Sequence, residues 1–139
     1  RKIYRTYVMI GDGECDEGNI WESAMAASHF KLNNLTLILD HNGLQIDGWN
    51  KDVMEIEPIA AKFKAFGWAV IEADGHDFNH IIEAFTLAEK IRNRPSIIIA
   101  KTIKGKGVSM MENKAEWHGR PCTGSELKVC LRELDANPK

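Results

Sequence analysis

Four short apolar runs alternate with four helical patterns along this chain, and this alternation limits the possible folds more than any other feature. The runs predict strands at Tyr7–Ile10, Leu35–Leu39, Trp68–Glu72 and Ser96–Ala100. The first run is expected to be a buried strand, and the second is apolar at nearly every position, as in strands covered on both faces. Parallel strands joined by crossover helices are the usual solution for this order. The sequence therefore predicts an α/β fold, a parallel sheet with helices on both faces, in a single domain over residues 1–139.

Helix signals fill the segments between the strands. Helices are predicted over Glu17–His29, from Pro58 to Gly67, after an N-cap at Asp77, and after a capping box formed by Thr123 and Glu126. The last two are expected to bury the apolar stripes Phe78, Ile81, Ile82, Phe85 and Ala88, and Leu127, Cys130, Leu131 and Leu134. Two polar, glycine-containing segments, Asp40–Asp52 and Lys104–Gly119, are predicted to be loops.

Composition excludes several classes of protein. The chain has 139 residues with 44% hydrophobic residues and a formal net charge of −2, which is too apolar and too weakly charged for a disordered protein. No basic run exceeds two residues, which argues against a nucleic-acid partner. No apolar stretch approaches the roughly 20 residues that would span a membrane.

The cysteines point to a reducing compartment. Cys15, Cys122 and Cys130 are odd in number and lack CxxC spacing, which argues against a disulfide framework or a structural zinc site. No signal peptide is visible, and a cytoplasmic location is expected.

Polar residues follow the first two predicted strands. Gly11-Asp12-Gly13 ends the first, and Asn42 follows Asp12 by 30 residues, about one β-α-β unit. Because ligands of parallel sheets bind at the carboxyl ends of the strands, both side chains can stand at one edge. Their oxygens, with a backbone carbonyl and phosphate oxygens, would suit Mg²⁺, and the glycines would let a diphosphate approach the backbone. From the residues alone, a metal–diphosphate site and an ordinary turn remain open alternatives of about equal weight.

The surrounding motifs resemble those of one family. The pair formed by Asp12 and Asn42 matches the fingerprint for thiamine diphosphate, and GDGECDEGNIWESAMAASHFKLNNLTLILDHNGLQIDG resembles transketolases, most closely the split type in which this half is a separate N-terminal subunit. The similarity continues through FGWAVIEADGHD, IIIAKTIKGKGVSMMEN and WHGRP, and covers about Thr6 to Pro121. The resemblance implies the thiamine-diphosphate-binding fold, here its diphosphate-binding domain.

The resemblance also implies a set of ligands for the ion and the diphosphate. Asp12 and Asn42 would hold Mg²⁺, or Ca²⁺ or Mn²⁺, through their side chains, and Leu44 would hold it through its carbonyl. The backbone amide of Gly13 would meet the diphosphate, with Gly11 on the other side of Asp12 in the same turn.

Three further residues match positions around the family's cofactor. Ile46 corresponds to an apolar side chain that packs on thiamine diphosphate, although packing into the core is the plainer interpretation. Glu17 corresponds to an acidic residue of a carboxylate network near the dimer interface, and alone it would be a charge favoured at a helix N-terminus. His118 corresponds to a histidine near the diphosphate and the sugar, where it can donate to phosphate or help to move protons. His118 and Glu17 are therefore the candidate catalytic residues.

By this resemblance the reaction is transfer of a two-carbon ketol unit from a ketose phosphate to an aldose phosphate, a reaction of the pentose phosphate pathway. Nothing in the sequence matches the family's pyrimidine-binding domain with its activating glutamate, so a C-terminal subunit is expected as a partner in an oligomer. The resemblance further implies that the family's longer N-terminal part is absent, and the chain alone is expected to be inactive. Two alternatives remain: another thiamine-diphosphate enzyme (deoxyxylulose-phosphate synthase or a 2-oxo acid dehydrogenase component), or a truncated, non-catalytic fragment.

Overall fold

The computed structural model describes residues 4–136. Within that range the strands are β1 Thr6–Gly11, β2 Leu35–His41, β3 Leu44–Gln45, β4 Gly48–Trp49, β5 Ala69–Asp74 and β6 Ser96–Lys101. The helices are α1 Gly18–His29, α2 Asn50–Val53, α3 Ile59–Ala65, α4 Phe78–Lys90 and α5 Gly124–Ala136. Two short 3₁₀ helices cover Gly13–Asp16 and Ala115–Trp117.

Four of the strands form one parallel sheet in the order β1-β2-β6-β5. Successive side chains of the inner strand β6 pack into two different cores, one on each face of the sheet. Ile97 and Ile99 pack in one core with residues of α1 and α3, whereas Ile98 packs on the opposite face with Ala84 and Ala88 of α4. Burial of each such isoleucine contributes about 1.5–3 kcal/mol. The predicted parallel sheet with helices on both faces is confirmed.

Several predicted core positions are wrong. Phe78 and Ile82 are 72% and 63% exposed, whereas Ala88 of the same predicted stripe is buried as expected and packs with Ala84, and Phe85 packs against them. Exposed residues also include Leu127, Leu131 and Leu134 of α5, and Tyr7, Val8 and Met9 of β1. β1 lies at an edge of the sheet, which leaves its side chains less covered than those of β2 and β6.

The segment predicted as a loop over Asp40–Asp52 contains regular structure. β3 and β4 pair antiparallel, and α2 begins directly after them. The buried side chain of Gln45 donates to Asn50 Oδ1 over 3.3 Å, and the amide of Asn50 donates to the Gly43 carbonyl over 2.9 Å. These hydrogen bonds take the place of hydrogen bonds to water. The segment after β2 is therefore folded and is not an open loop.

The long segment between β6 and α5 is held together by its own backbone. The amide of Asn113 donates to the Lys104 carbonyl over 3.0 Å, and the amide of Met111 donates to the Val108 carbonyl over 2.8 Å. Gly105 has φ +74, and a Cβ there would come within 2.6 Å of Met111 Cβ. The segment is therefore a compact turn structure, unlike the flexible loop that its composition favours.

No helix within residues 4–136 is both long and apolar enough to cross a membrane. Cys15, Cys122 and Cys130 all carry free thiols.

Candidate functional site

The carboxylate of Asp12 organises the edge of the sheet where β1 and β2 end. It is 1% exposed, and its Oδ2 accepts from the backbone amides of Asn42 and Gly43 over 3.0 and 2.5 Å. The parallel register pairs Gly11 with Asp40, so that the residues following the two strands meet side by side. Asp12 thus fixes the turn after β2 through charge-assisted hydrogen bonds.

His41 is a neighbour of Asp12 that the sequence interpretation did not include. Its Nδ1 lies 2.6 Å from Asp12 Oδ1, and its Nε2 lies 3.0 Å from Glu57 Oε1. The hydrogen bond to Asp12 raises the pKa of His41 above its ordinary value, against the opposing effect of burial. The signal that would have identified it is the strand register, because His41 follows Asp40 as Asp12 follows Gly11.

Asn42 turns its amide oxygen towards the backbone of the next residues. Asn42 Oδ1 accepts from the Leu44 amide over 3.0 Å, and Leu44 itself is 5% exposed. A carbonyl oxygen has two acceptor positions, so one remains on Asn42 Oδ1. One also remains on Asp12 Oδ1 beyond its contact with His41. This arrangement leaves oxygen donors for a cation next to a turn that is already ordered.

A cavity of about 480 Å³ opens at this edge of the sheet. All eight residues that were predicted for the site line it: Gly11, Asp12, Gly13, Glu17, Asn42, Leu44, Ile46 and His118. The other lining residues are Glu14, Asp40, Gln45, Asp47 and Lys104. The structure therefore brings the predicted residues into one place, while their roles stay predictions.

The lining is strongly acidic. Among the described residues that border the cavity are five carboxylates, one ammonium group (Lys104) and one imidazole (His118). An anionic diphosphate would be repelled by this set of charges. A divalent cation held by the carboxylate of Asp12 would offset part of that repulsion, so the residues present fit a metal-bound diphosphate.

The donor set differs from an ordinary cluster of metal ligands. Within residues 4–136, no three His, Cys, Asp or Glu side chains are grouped so that they could hold an ion. The expected set instead combines the carboxylate of Asp12, the amide oxygen of Asn42 and the carbonyl of Leu44. Such all-oxygen sets, completed by phosphate and water, are typical of Mg²⁺ sites.

Gly13 leaves space between the turn after β1 and the turn after β2. A Cβ at Gly13 would lie 3.1 Å from Gln45 Cβ, which is a tight contact. The absence of a side chain keeps backbone accessible at the floor of the cavity.

Ile46 and Glu17 are exposed at the cavity's rim. Ile46 is 67% exposed, so the alternative of packing into the core is wrong for this side chain. Glu17 occupies the N-cap position of α1 without a side-chain capping bond, so its carboxylate is not used to begin the helix.

The segment after β6 forms the remaining wall. His118 is exposed, and its Nδ1 lies 3.4 Å from Lys104 Nζ. The neighbouring Trp117 donates from Nε1 to the Met110 carbonyl over 2.9 Å, which anchors the segment that carries His118. Two nitrogen-bearing side chains therefore lie next to each other in the same cavity as the carboxylates.

Comparisons with known proteins show which family the chain belongs to. The family model described as "Transketolase, thiamine diphosphate binding domain" matches residues 3–139. An apulose-4-phosphate transketolase subunit from Phocaeicola vulgatus is 43% identical over 131 residues, covering 94% of this chain and 47% of that protein. The 6-deoxy-6-sulfo-D-fructose transketolase subunit SqwG of a Clostridium species is 42% identical over 129 residues, covering 93% of this chain and 47% of that protein.

A solved structure extends the agreement to the fold. The transketolase of Campylobacter jejuni superimposes with a TM-score of 0.88 at 32% identity, covering 95% of this chain and 21% of that chain. The chain spans about half the length of the curated relatives it matches. It belongs to the transketolase family, and it matches that family's thiamine diphosphate binding domain.

Proposed function

We propose that this chain is the diphosphate-binding subunit of a two-subunit transketolase that transfers a two-carbon ketol unit from a ketose phosphate to an aldose phosphate. The observation that carries the proposal is the acidic cavity in which Asp12 and Asn42 meet, since it suits an anionic cofactor only when a divalent cation is present. Mg²⁺ is the proposed ion, with Ca²⁺ and Mn²⁺ as substitutes.

The residues of this chain would bind and orient the cofactor. Asp12, Asn42 and the Leu44 carbonyl would hold the ion, and the Gly13 amide would meet the diphosphate. When bound, thiamine diphosphate supplies a nucleophilic carbon that takes up the two-carbon unit and stabilises negative charge. Ile46 would pack against the cofactor, because its apolar surface is exposed at the rim of the cavity.

Lys104 and His118 would act on the substrate. Lys104 Nζ lies 3.4 Å from His118 Nδ1, and both residues line the cavity, a position suited to phosphate oxygens or substrate hydroxyls. Glu17 would contribute to a carboxylate network with a second subunit. The relatives named above are described as acting on apulose 4-phosphate and on a sulfonated fructose, both ketoses with an anionic group, which favours a sugar phosphate here.

A second subunit completes the proposal. The named relatives are themselves subunits, and the partner would carry the pyrimidine-binding domain with the activating glutamate. The three free thiols are consistent with a cytoplasmic enzyme, and the pentose phosphate pathway is the proposed setting.

Titration calorimetry with thiamine diphosphate tests the binding step. Binding is expected in Mg²⁺ and not in EDTA. In Asp12→Asn, the amide oxygen can still accept from the Asn42 and Gly43 amides while the charge is lost, and affinity should fall by at least about tenfold. Asp47→Asn removes another carboxylate from the same cavity and serves as the control, with affinity unchanged within about threefold. Binding that is equal in Mg²⁺ and EDTA would refute the metal assignment.

The reaction itself is tested with the partner subunit present. Ketol transfer from a ketose phosphate to an aldose phosphate should appear only when both subunits, thiamine diphosphate and Mg²⁺ are combined. Decarboxylation of a 2-oxo acid without ketol transfer would instead indicate one of the other thiamine-diphosphate enzymes.

A further inference from the structure

Three sulfur atoms meet where α5 packs against the segment after β6. The Sγ atoms of Cys122 and Cys130 are 3.7 Å apart, and Cys130 Sγ lies 3.7 Å from Met110 Sδ. Among the described residues of α5 only Cys130 is buried, while the apolar neighbours on that helix are exposed. This sulfur cluster is therefore one of the contacts between α5 and the segment after β6, beside the hydrogen bonds from Ser109 to Glu133.

The two thiols differ in accessibility. Cys130 is 5% exposed, whereas Cys122 is partly exposed in the irregular segment that precedes α5. Burial and the neighbouring Cys122 thiol raise the pKa of Cys130 above its ordinary value. An oxidant that approaches from solvent therefore meets Cys122 first.

Other contacts keep the Cys122 segment on α5. Arg120 Nη2 lies 2.5 Å from Glu126 Oε1, and Glu126 Oε2 accepts from the Thr123 amide over 2.7 Å. The guanidinium of Arg120 also lies 4.0 Å from the centre of the Trp117 ring. The thiols are thus held together by groups on both sides, which makes an intramolecular step faster than reaction with a second molecule.

We propose that Cys122 and Cys130 are a thiol pair that closes to an intramolecular disulfide. Closure requires the sulfur atoms to approach from 3.7 Å to about 2.0 Å. The oxidant class is a low-molecular-weight disulfide such as glutathione disulfide.

The exchange balances in two steps. The Cys122 thiolate attacks one sulfur of the small disulfide, forming a mixed disulfide and releasing one small thiolate. The Cys130 thiolate then attacks Cys122 Sγ, closing the protein disulfide and releasing the second small thiolate. The two protons lost by the protein thiols go to the two released thiolates. One small disulfide is reduced as the protein pair is oxidised.

Closure would affect the wall that carries His118. The bond would attach Cys122 to α5. Cys122 follows His118 by only four residues in the chain. Slower amide exchange is therefore expected over residues 117–123 in the oxidised protein, because opening of that segment would be restrained.

The full chain is incubated with glutathione disulfide, alkylated and digested for mass spectrometry. Wild type and Cys15→Ser should both yield a peptide pair joined through Cys122 and Cys130, reversible by dithiothreitol. Cys130→Ser should instead accumulate glutathione on Cys122, and Cys122→Ser should stay reduced at Cys130. A stable mixed disulfide on Cys122 in wild type would overturn the proposed thiol pair. Amide hydrogen exchange over residues 117–123 that is unchanged by oxidation would overturn the proposed effect of the disulfide on the wall. None of these measurements requires the cofactor, so their outcome is independent of the proposed function.

Discussion

The imidazole of His41 lies 2.6 Å from Asp12 Oδ1, while the backbone amides of Asn42 and Gly43 donate to the other carboxylate oxygen, Oδ2. Glu57 contacts the other nitrogen of the same ring at 3.0 Å. A buried carboxylate that accepts on both of its oxygens has a fixed orientation, so His41 is a positioning residue for the proposed metal ligand.

Removing the imidazole should destabilise the chain. In His41→Leu, Asp12 Oδ1 loses its donor in a buried position, and the free energy of unfolding should fall by about 1–3 kcal/mol. In His41→Asn, the side-chain amide can donate from near the position of Nδ1, so more of the stability should remain. Urea denaturation of the metal-free proteins measures both. Equal stability of His41→Leu and wild type would contradict the role assigned to this contact.

Ile46 should matter for the cofactor and not for folding. Because it is 67% exposed, Ile46→Ser should change the free energy of unfolding by no more than about 0.5 kcal/mol. Its proposed packing against thiamine diphosphate predicts an affinity about tenfold weaker, from the loss of roughly 1.5 kcal/mol of apolar contact. Ile82→Ser on α4 is the matched control, since Ile82 is 63% exposed and does not line the cavity. Calorimetry that shows the same affinity for both variants would exclude contact between Ile46 and the cofactor.

Glu126 should make the N-terminus of α5 sensitive to acid. The Thr123 amide, which donates to Glu126 over 2.7 Å, lowers the pKa of this carboxyl below its ordinary value. A group with a lowered folded-state pKa contributes stability above its unfolded pKa, and that contribution is lost as the pH falls through the folded value. Wild type should therefore exceed Glu126→Gln in stability at pH 7, and the difference should disappear as the solution is acidified below the folded pKa. Denaturation curves across this range check the sign, and a difference that grows on acidification would be inconsistent with it.

Cys15 should resist alkylation. Burial raises the pKa of its thiol to about 12, and the carboxylates of Asp12 and Asp16 act in the same direction. Since the thiolate is the reactive form, iodoacetamide at pH 8 should modify Cys122 well before Cys15 in the folded protein. Quantitative mass spectrometry of the two peptides gives the rates. The prediction is wrong if iodoacetamide modifies Cys15 and Cys122 at comparable rates in the native protein and both rates rise together in urea. That result would mean that the region around Cys15 opens readily.

The sheet and the site could be predicted because their signals are local. The runs at Leu35–Leu39 and Ser96–Ala100 lie within the observed strands β2 and β6, and the polar residues after β1 and β2 come together at one edge. Parallel pairing makes this outcome nearly independent of the details of the connecting helices.

Helix faces were harder to predict. Periodicity identifies an apolar stripe without saying what covers it, and α4 buries Ala84 and Ala88 while Phe78 and Ile82 remain exposed. Small residues allow a helix to approach a sheet closely, and Ala84 and Ala88 pack directly against Ile98 of β6.

His41 could not be recognised from composition. One histidine in a polar segment is usually exposed, and its significance depends on a register across two strands. The hairpin of β3 and β4 escaped prediction for a similar reason, because two-residue strands carry no measurable alternation.

The hydrogen bond from the Asn113 amide to the Lys104 carbonyl makes the segment between these two residues structurally independent of strand β6 before it. A stretch that closes on itself at its own base can change length or composition between those two residues while the strand before it keeps its position. Under the proposed function, variation within this one segment would change the cavity lining near Lys104, while the proposed cation ligands Asp12 and Asn42, which lie in other segments, would stay in place.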